Sequence, residues 1–243
     1  MMTDRLTLAP VSALVRGAFD AGAHLRHARF FHPRGVRLSG RFRAEPEFTR
    51  LFGEGDRATI GRLSKGVGTP GGIPDVLGLA FRVLDINEKP WDFALATTGQ
   101  RPIARLSLTV ARGWDSARFG SLLPYQWDDS APLWVLAEPD PGLPTSTSLS
   151  ALARHVHEHQ IGYTISVAGY GPARQTVGHL ALRAADPGEH RTDFYDPVLN
   201  HPADVALLPR AVQRLRESAY DGSRRGRGVE NRETGRVEVD PHR

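Results

Sequence analysis

The run 36–43 most constrains what this chain can become. Val36, Leu38, Gly40 and Phe42 alternate with Arg37, Ser39, Arg41 and Arg43. Period-two alternation of apolar and charged residues predicts a β-strand with one face buried and one face wet. A sheet with one dry face must fold that face against something. Further strands read at 58–64, 76–84, 91–98, 161–168 and 176–184, a cleanly alternating one at 103–110 and a short apolar one at 133–137, with turn signals at 66–74 and 87–90. That is about eight strands, mostly antiparallel by their alternation, and a closed antiparallel barrel is the closure that leaves no edge exposed. Helices are predicted at 11–27, 114–125, 149–159 and 209–220, with a helical turn at 45–52 closed by Gly53. The expected class is α+β: an eight-stranded antiparallel β-barrel with flanking helices. One barrel domain is expected over 1–227, followed by a polar tail at 228–243 that reads as disordered.

Composition removes several chemistries. The chain has 243 residues and no cysteine, which excludes disulfides, thiolate metal sites and cysteine nucleophiles. Its net charge of +4 is carried by arginine, since Lys65 and Lys89 are the only lysines. Arginine suits bidentate pairing with carboxylate or phosphate, so acidic small ligands fit this balance as well as nucleic acid does. No apolar run is long enough to cross a bilayer and no cleavable signal is evident, so a cytoplasmic protein without membrane insertion is expected.

Several local patterns carry possible chemistry. His32 lies between two phenylalanines and Pro33, at the mouth of the first strand, with Arg29 just before it. Alone it reads as a histidine packed beside a strand start. Arg62 and Ser64 share a strand face at i, i+2. A serine hydroxyl can fix an imidazole tautomer, and an arginine can pair with an acidic ligand group. In the last predicted helix Arg216 and Tyr220 lie one turn apart on the side of Val212, Leu215 and Ala219. A guanidinium favours the phenolate, and a phenolate can ligate haem iron. The plainer reading is a core tyrosine with an arginine snorkelling past it.

Three further patterns read as structural. The sequence 66–71 matches a dinucleotide fingerprint by letter, but Pro70 and Pro74 prevent a helix from opening there. His155, His157 and His159 do not complete a tetrahedral metal set. Arg224, Arg225 and Arg227 lack interleaved aromatics and read as a solvated tail.

Taken together, the pieces resemble haem catalases and, more closely in size, the small catalase-like haem peroxidases of bacteria. Residues 29–35 resemble the Arg-x-x-His-x-x-Gly element that carries the distal histidine. Residues 62–64 resemble the Arg-x-Ser element. Gly78 to Phe81 is similar to an Arg-Gly-Phe-Ala-type strand, and Trp91-Asp92-Phe93 to Trp-Asp-Leu. Arg216 and Tyr220 match the proximal pair, and Arg227 falls where a further propionate arginine is expected. The similarity covers 29–98 and 210–227; between them only the strand pattern matches.

The resemblance implies haem b held by Tyr220 as metal ligand, with Arg216 beside it. It implies Arg29, Arg62 and Arg227 on the propionates and Phe31 against the porphyrin. His32 and Ser64 would be catalytic. Catalases carry an asparagine after the Trp-Asp pair, and Thr97 is assigned to that place, with Thr98 beside it. A rotatable hydroxyl is a poorer fixed donor than an amide. The expected activity is therefore peroxidase, reducing hydrogen peroxide or organic hydroperoxides with weak or absent catalase turnover. The expected partners are a small-molecule peroxide and an organic reductant, without nucleic acid; a homodimer is compatible with the sequence. A hydroperoxide isomerase, and a barrel that only binds haem or another hydrophobic ligand, are the alternatives.

Overall fold

The structure is a computed structural model that describes residues 34–127, 130–186 and 194–208. Eight antiparallel strands close into a barrel in the order β1-β2-β3-β4-β5-β7-β8-β9. They are β1 (Gly35–Ala44), β2 (Asp56–Lys65), β3 (Leu77–Leu84), β4 (Pro90–Thr97), β5 (Phe119–Gly120), β7 (Trp134–Pro139), β8 (Ile161–Ala168) and β9 (Gln175–Ala184). A separate two-stranded sheet pairs β6 (Tyr125–Trp127) with β10 (Val205–Leu207).

Alternation decides which side chains go inside. In β1, Leu38 and Phe42 are buried while Arg41 and Arg43 are exposed. Registers carry that choice around the barrel: Leu38 opposes Gly61, which opposes Phe81, which opposes Phe93. Leu63, Leu79, Leu95, Tyr163, Leu180 and Leu182 complete a dry centre. Closure falls between β1 and β9, where Gly40 opposes Leu182. A Cβ on Gly40 would lie 1.9 Å from the Ala181 carbonyl oxygen, so only glycine lets the two strands approach there.

Among the described residues two short α-helices flank the barrel. A 3-10 turn (Pro46–Phe48) runs into α1 (Thr49–Phe52), which buries Phe52. The second helix, α2 (Leu149–Glu158), packs on β9 and β1. Ser148 caps it by accepting from Ala151 N–H at 3.3 Å, and Leu152 and Val156, one turn apart, are its buried stripe. Among the described residues no helix is long and apolar enough to cross a membrane.

Two predicted elements are different in the structure. The run 103–110 is not a barrel strand. It makes a 3-10 turn (Ala104–Leu106) and then a short extended stretch bridged to the end of β4 through Leu108 and Thr98. Its hydropathy is inverted: Ile103 is 80% exposed and Arg105 is 1% exposed. Arg105 is drawn in because its guanidinium donates to the carbonyls of Gly169 and Gly171, pinning the β8–β9 turn. The predicted helix 114–125 is also absent. Gly120 and Pro124 weaken it, and Phe119 is instead claimed by tertiary pairing between Thr97 of β4 and Ala137 of β7. The barrel thus keeps eight strands, with two-residue β5 in the place expected for 103–110. The predicted helices 11–27 and 209–220 and the tail 228–243 lie outside the described residues.

Candidate functional site

The outer wall of β1 to β5 is built from two cross-strand rows. Pairing places Gly35, Ser64, Gly78, Ala96 and Gly120 in one row. The next contains Arg37, Arg62, Ala80 and Ala94. Gly78, Ala80, Ala94, Ala96 and Gly120 carry a methyl group or nothing, so this wall is a smooth shelf. From β2 to β5 it spans three strand spacings, roughly 14 Å. Arg62 and Ser64 stand at its β2 edge, both facing outward. The two rows hold two arginines and no carboxylate among the described residues, which suits an acidic, flat ligand. Ser64 is 6% exposed. A Cβ on Gly35 would lie 2.6 Å from Arg62 Nε, so glycine at the start of β1 makes room for that guanidinium.

Arg62, at the margin of the small-residue shelf, is the described side chain that could pair with a carboxylate-bearing ligand. Arg62 and Ser64 are brought to one face, as the i, i+2 spacing implies. His32, Arg29, Phe31, Arg216, Tyr220 and Arg227 lie outside the described residues.

Thr97 is not brought to Ser64. It faces into the barrel and is 1% exposed. Its hydroxyl donates to the Thr109 carbonyl at 2.6 Å and accepts from Leu77 N–H at 3.1 Å. The barrel wall separates it from the shelf. The residue that faces outward beside Gly78 is Ala96, which has no polar group. Thr98 returns to the outer side. Its buried hydroxyl has no hydrogen-bond partner among the described residues, and a Cβ on Gly120 would sit 2.4 Å from it. Ala96, Thr98 and Gly120 are thus the wall residues that the sequence reading missed. Period two would have separated Ala96 from Thr97, but only the register identifies Ser64 as sharing Ala96's row.

Next to the shelf lies a charged knot. Asp92 is fully buried on the outer side of β4. It accepts from Arg82 Nε at 2.5 Å and Nη2 at 2.7 Å, from Asp196 N–H at 2.8 Å and from Asn200 Nδ2 at 2.7 Å. That bidentate bond with Asp92 raises the Arg82 pKa still further. The knot straps the 194–200 segment across the barrel wall.

The glycine-rich loop 66–74 has a different use. Val67, Gly68 and Thr69 N–H all donate to the Asp75 carboxylate, as does the Thr69 hydroxyl. A cradle of successive amides is an anion site, and here the chain's own carboxylate fills it. Burial opposes the charge on Asp75. The amides of Val67 and Thr69, the Thr69 hydroxyl and nearby Lys65 outweigh it and hold the carboxyl below its usual range. Burial in turn pushes the Lys65 ammonium down, against the pull of Asp75. Lys65 donates to the carbonyls of Gly71 and Ile73 and to Thr147 Oγ1. The histidines near the end of α2 are His155, His157 and the C-capping His159. His155 and His159 stack with ring centroids 4.8 Å apart, and no group of three or more metal-ligating side chains occurs among the described residues.

No protein-family model matches the sequence, and no curated protein matches it.

Proposed function

We propose that the chain is a haem-dependent peroxidase of the catalase-like type, reducing hydrogen peroxide or organic hydroperoxides at the expense of an organic reductant. The observation that carries this reading is the smooth outer shelf of Gly78, Ala80, Ala94 and Ala96 with Arg62 and Ser64 on its edge. It lies on the wall of a closed eight-stranded barrel, on the strands where the sequence resemblance is densest.

In this reading Tyr220 holds haem b through its phenolate oxygen, and Arg216 keeps that oxygen anionic. Arg62, Arg29 and Arg227 pair with the propionates, and Phe31 packs on the ring. When bound, haem supplies the redox chemistry of peroxide reduction. His32 takes a proton from one peroxide oxygen and returns it to the other. The Ser64 hydroxyl orients the imidazole. Ala96 offers no hydrogen bond, so no fixed amide aligns a small peroxide at that point, and its methyl leaves room for a bulkier hydroperoxide. This favours peroxidase over catalase turnover.

The test is an absorption spectrum of the purified protein before and after adding haemin. A Soret band at one haem per chain is expected. Tyr220→Phe should abolish stoichiometric uptake or shift the band; an unchanged spectrum and affinity would reject Tyr220 as ligand. His32→Ala should keep haem and lose peroxide reactivity. A protein that takes up no haem would refute the proposal.

A further inference from the structure

The barrel is hollow at one end. Where β1 ends and β2 begins, a cavity of about 70 Å3 opens to the surface. Phe42, Phe81 and Phe93 wall it from inside the barrel, Phe52 from α1, and Trp127 and Val205 from the small sheet. No charged residue lines it among the described residues. Its aromatic rings are stacked in series: Phe52 on Trp91 at 5.1 Å, Trp91 on Phe93 at 5.0 Å, and Phe93 on Phe81 at 4.7 Å. These offset stacks favour the observed ring arrangement along that wall.

Water gains little in such a place. It needs two to four polar partners, and an apolar lining favours an apolar guest instead. At about 10–15 Å3 per water-sized sphere the hollow takes roughly five or six of them, the bulk of about six methylene carbons. The rim is not neutral. Arg50 lies in α1, between Phe48 and Phe52, and its guanidinium carbon sits 5.3 Å over the Trp127 ring. Arg50 is exposed, and no carboxylate lies within ion-pair distance of it among the described residues. An apolar hole with Arg50 at its lip selects an amphipathic anion: an aliphatic tail inside and a negative head outside.

We propose that this end of the barrel is a binding site for a medium-chain aliphatic monocarboxylate, with the alkyl tail among Phe42, Phe81, Phe93 and Val205 and the carboxylate at Arg50. The site is at the opposite end of β2 from Ser64 and Lys65. It needs neither haem nor His32, so its success or failure is independent of the peroxidase reading.

Octanoate is the probe, with 1-octanol as the uncharged control and tryptophan emission as the readout, since Trp91 and Trp127 both line the cavity. Both ligands should bind saturably at one per chain. Arg50→Gln should weaken octanoate about two- to five-fold, as befits an exposed ion pair, and leave 1-octanol unchanged. Val177→Phe, which fills the hollow, should abolish binding of both while keeping the wild-type circular dichroism. Absence of saturable binding by either ligand would overturn the site. Undiminished binding in a folded Val177→Phe would do the same. An Arg50→Gln protein that binds octanoate as tightly as wild type would overturn the placement of the carboxylate. Thermal denaturation gives a second measurement if Val177→Phe does not fold: octanoate should raise the wild-type Tm, and an unmoved Tm counts against the proposal.

Discussion

Neighbouring residues on one strand have opposite fates here, and Ala96 and Thr97 show it best. Thr97 spends its hydroxyl on Leu77 N–H and the Thr109 carbonyl, inside the wall. Thr97→Val should therefore cost about 1–3 kcal/mol in urea denaturation, because it leaves a buried donor unsatisfied, and should leave haem uptake unchanged. Ala96→Asn does the reverse. It adds an amide on the shelf side, and oxygen release from hydrogen peroxide should rise relative to oxidation of an organic reductant. No rise would separate position 96 from the peroxide. Asp92 is the other residue on which much hangs. Asp92→Ala strands half-buried Arg82 and removes the acceptor for two groups of the 194–200 segment. A loss of about 3–5 kcal/mol is expected by the same measurement.

At the scale of elements, the loop 66–74 is tied by a buried carboxylate and a buried ammonium rather than by an apolar face. Asp75 titrates lower in the folded chain than in the unfolded one. Such a group adds stability above its unfolded pKa of about 3.9, and that stability is lost as the pH falls through its lower folded value. Stability of the wild type should accordingly fall more steeply below about pH 4 than that of Asp75→Asn, while the variant is weaker at pH 7. Parallel curves would show that the amide cradle does not depend on the charge. The same loop explains how a glycine pattern that resembles a phosphate-binding fingerprint is used without a phosphate.

For the whole molecule, closure of the barrel depends on β1 meeting β9, strands separated by most of the described chain. At Gly40 an added Cβ would meet the Ala181 carbonyl oxygen at 1.9 Å, so the seam admits no side chain there. Gly40→Ala should open it, with hydrogen exchange accelerating first at the amides of β1 and β9 and later at β3 and β4. Uniform acceleration would mean that the seam is no weaker than the rest. The barrel also separates two possible uses of its surface. The smooth outer shelf lies on the wall of β2 to β5, and the apolar hollow opens at the end where β1 gives way to β2.

Alternation along 36–43 was enough to assign a strand and its inward face, because side-chain direction in a strand is a local property with a period of two; 58–64 and 76–84 were legible as strands. Closure into an antiparallel barrel was also legible, since so many half-apolar strands have no other way to bury one face. Which residues share a row was not legible. That depends on register between segments far apart in sequence, and it set Ala96 rather than Thr97 beside Gly78. Recruitment of Phe119 as a strand, and the burial of Arg105 in place of Ile103, were likewise decided by distant partners: Ala137 for the first, the carbonyls of Gly169 and Gly171 for the second. Local pattern chose the faces; long-range pairing chose the neighbours, and a site is made of neighbours.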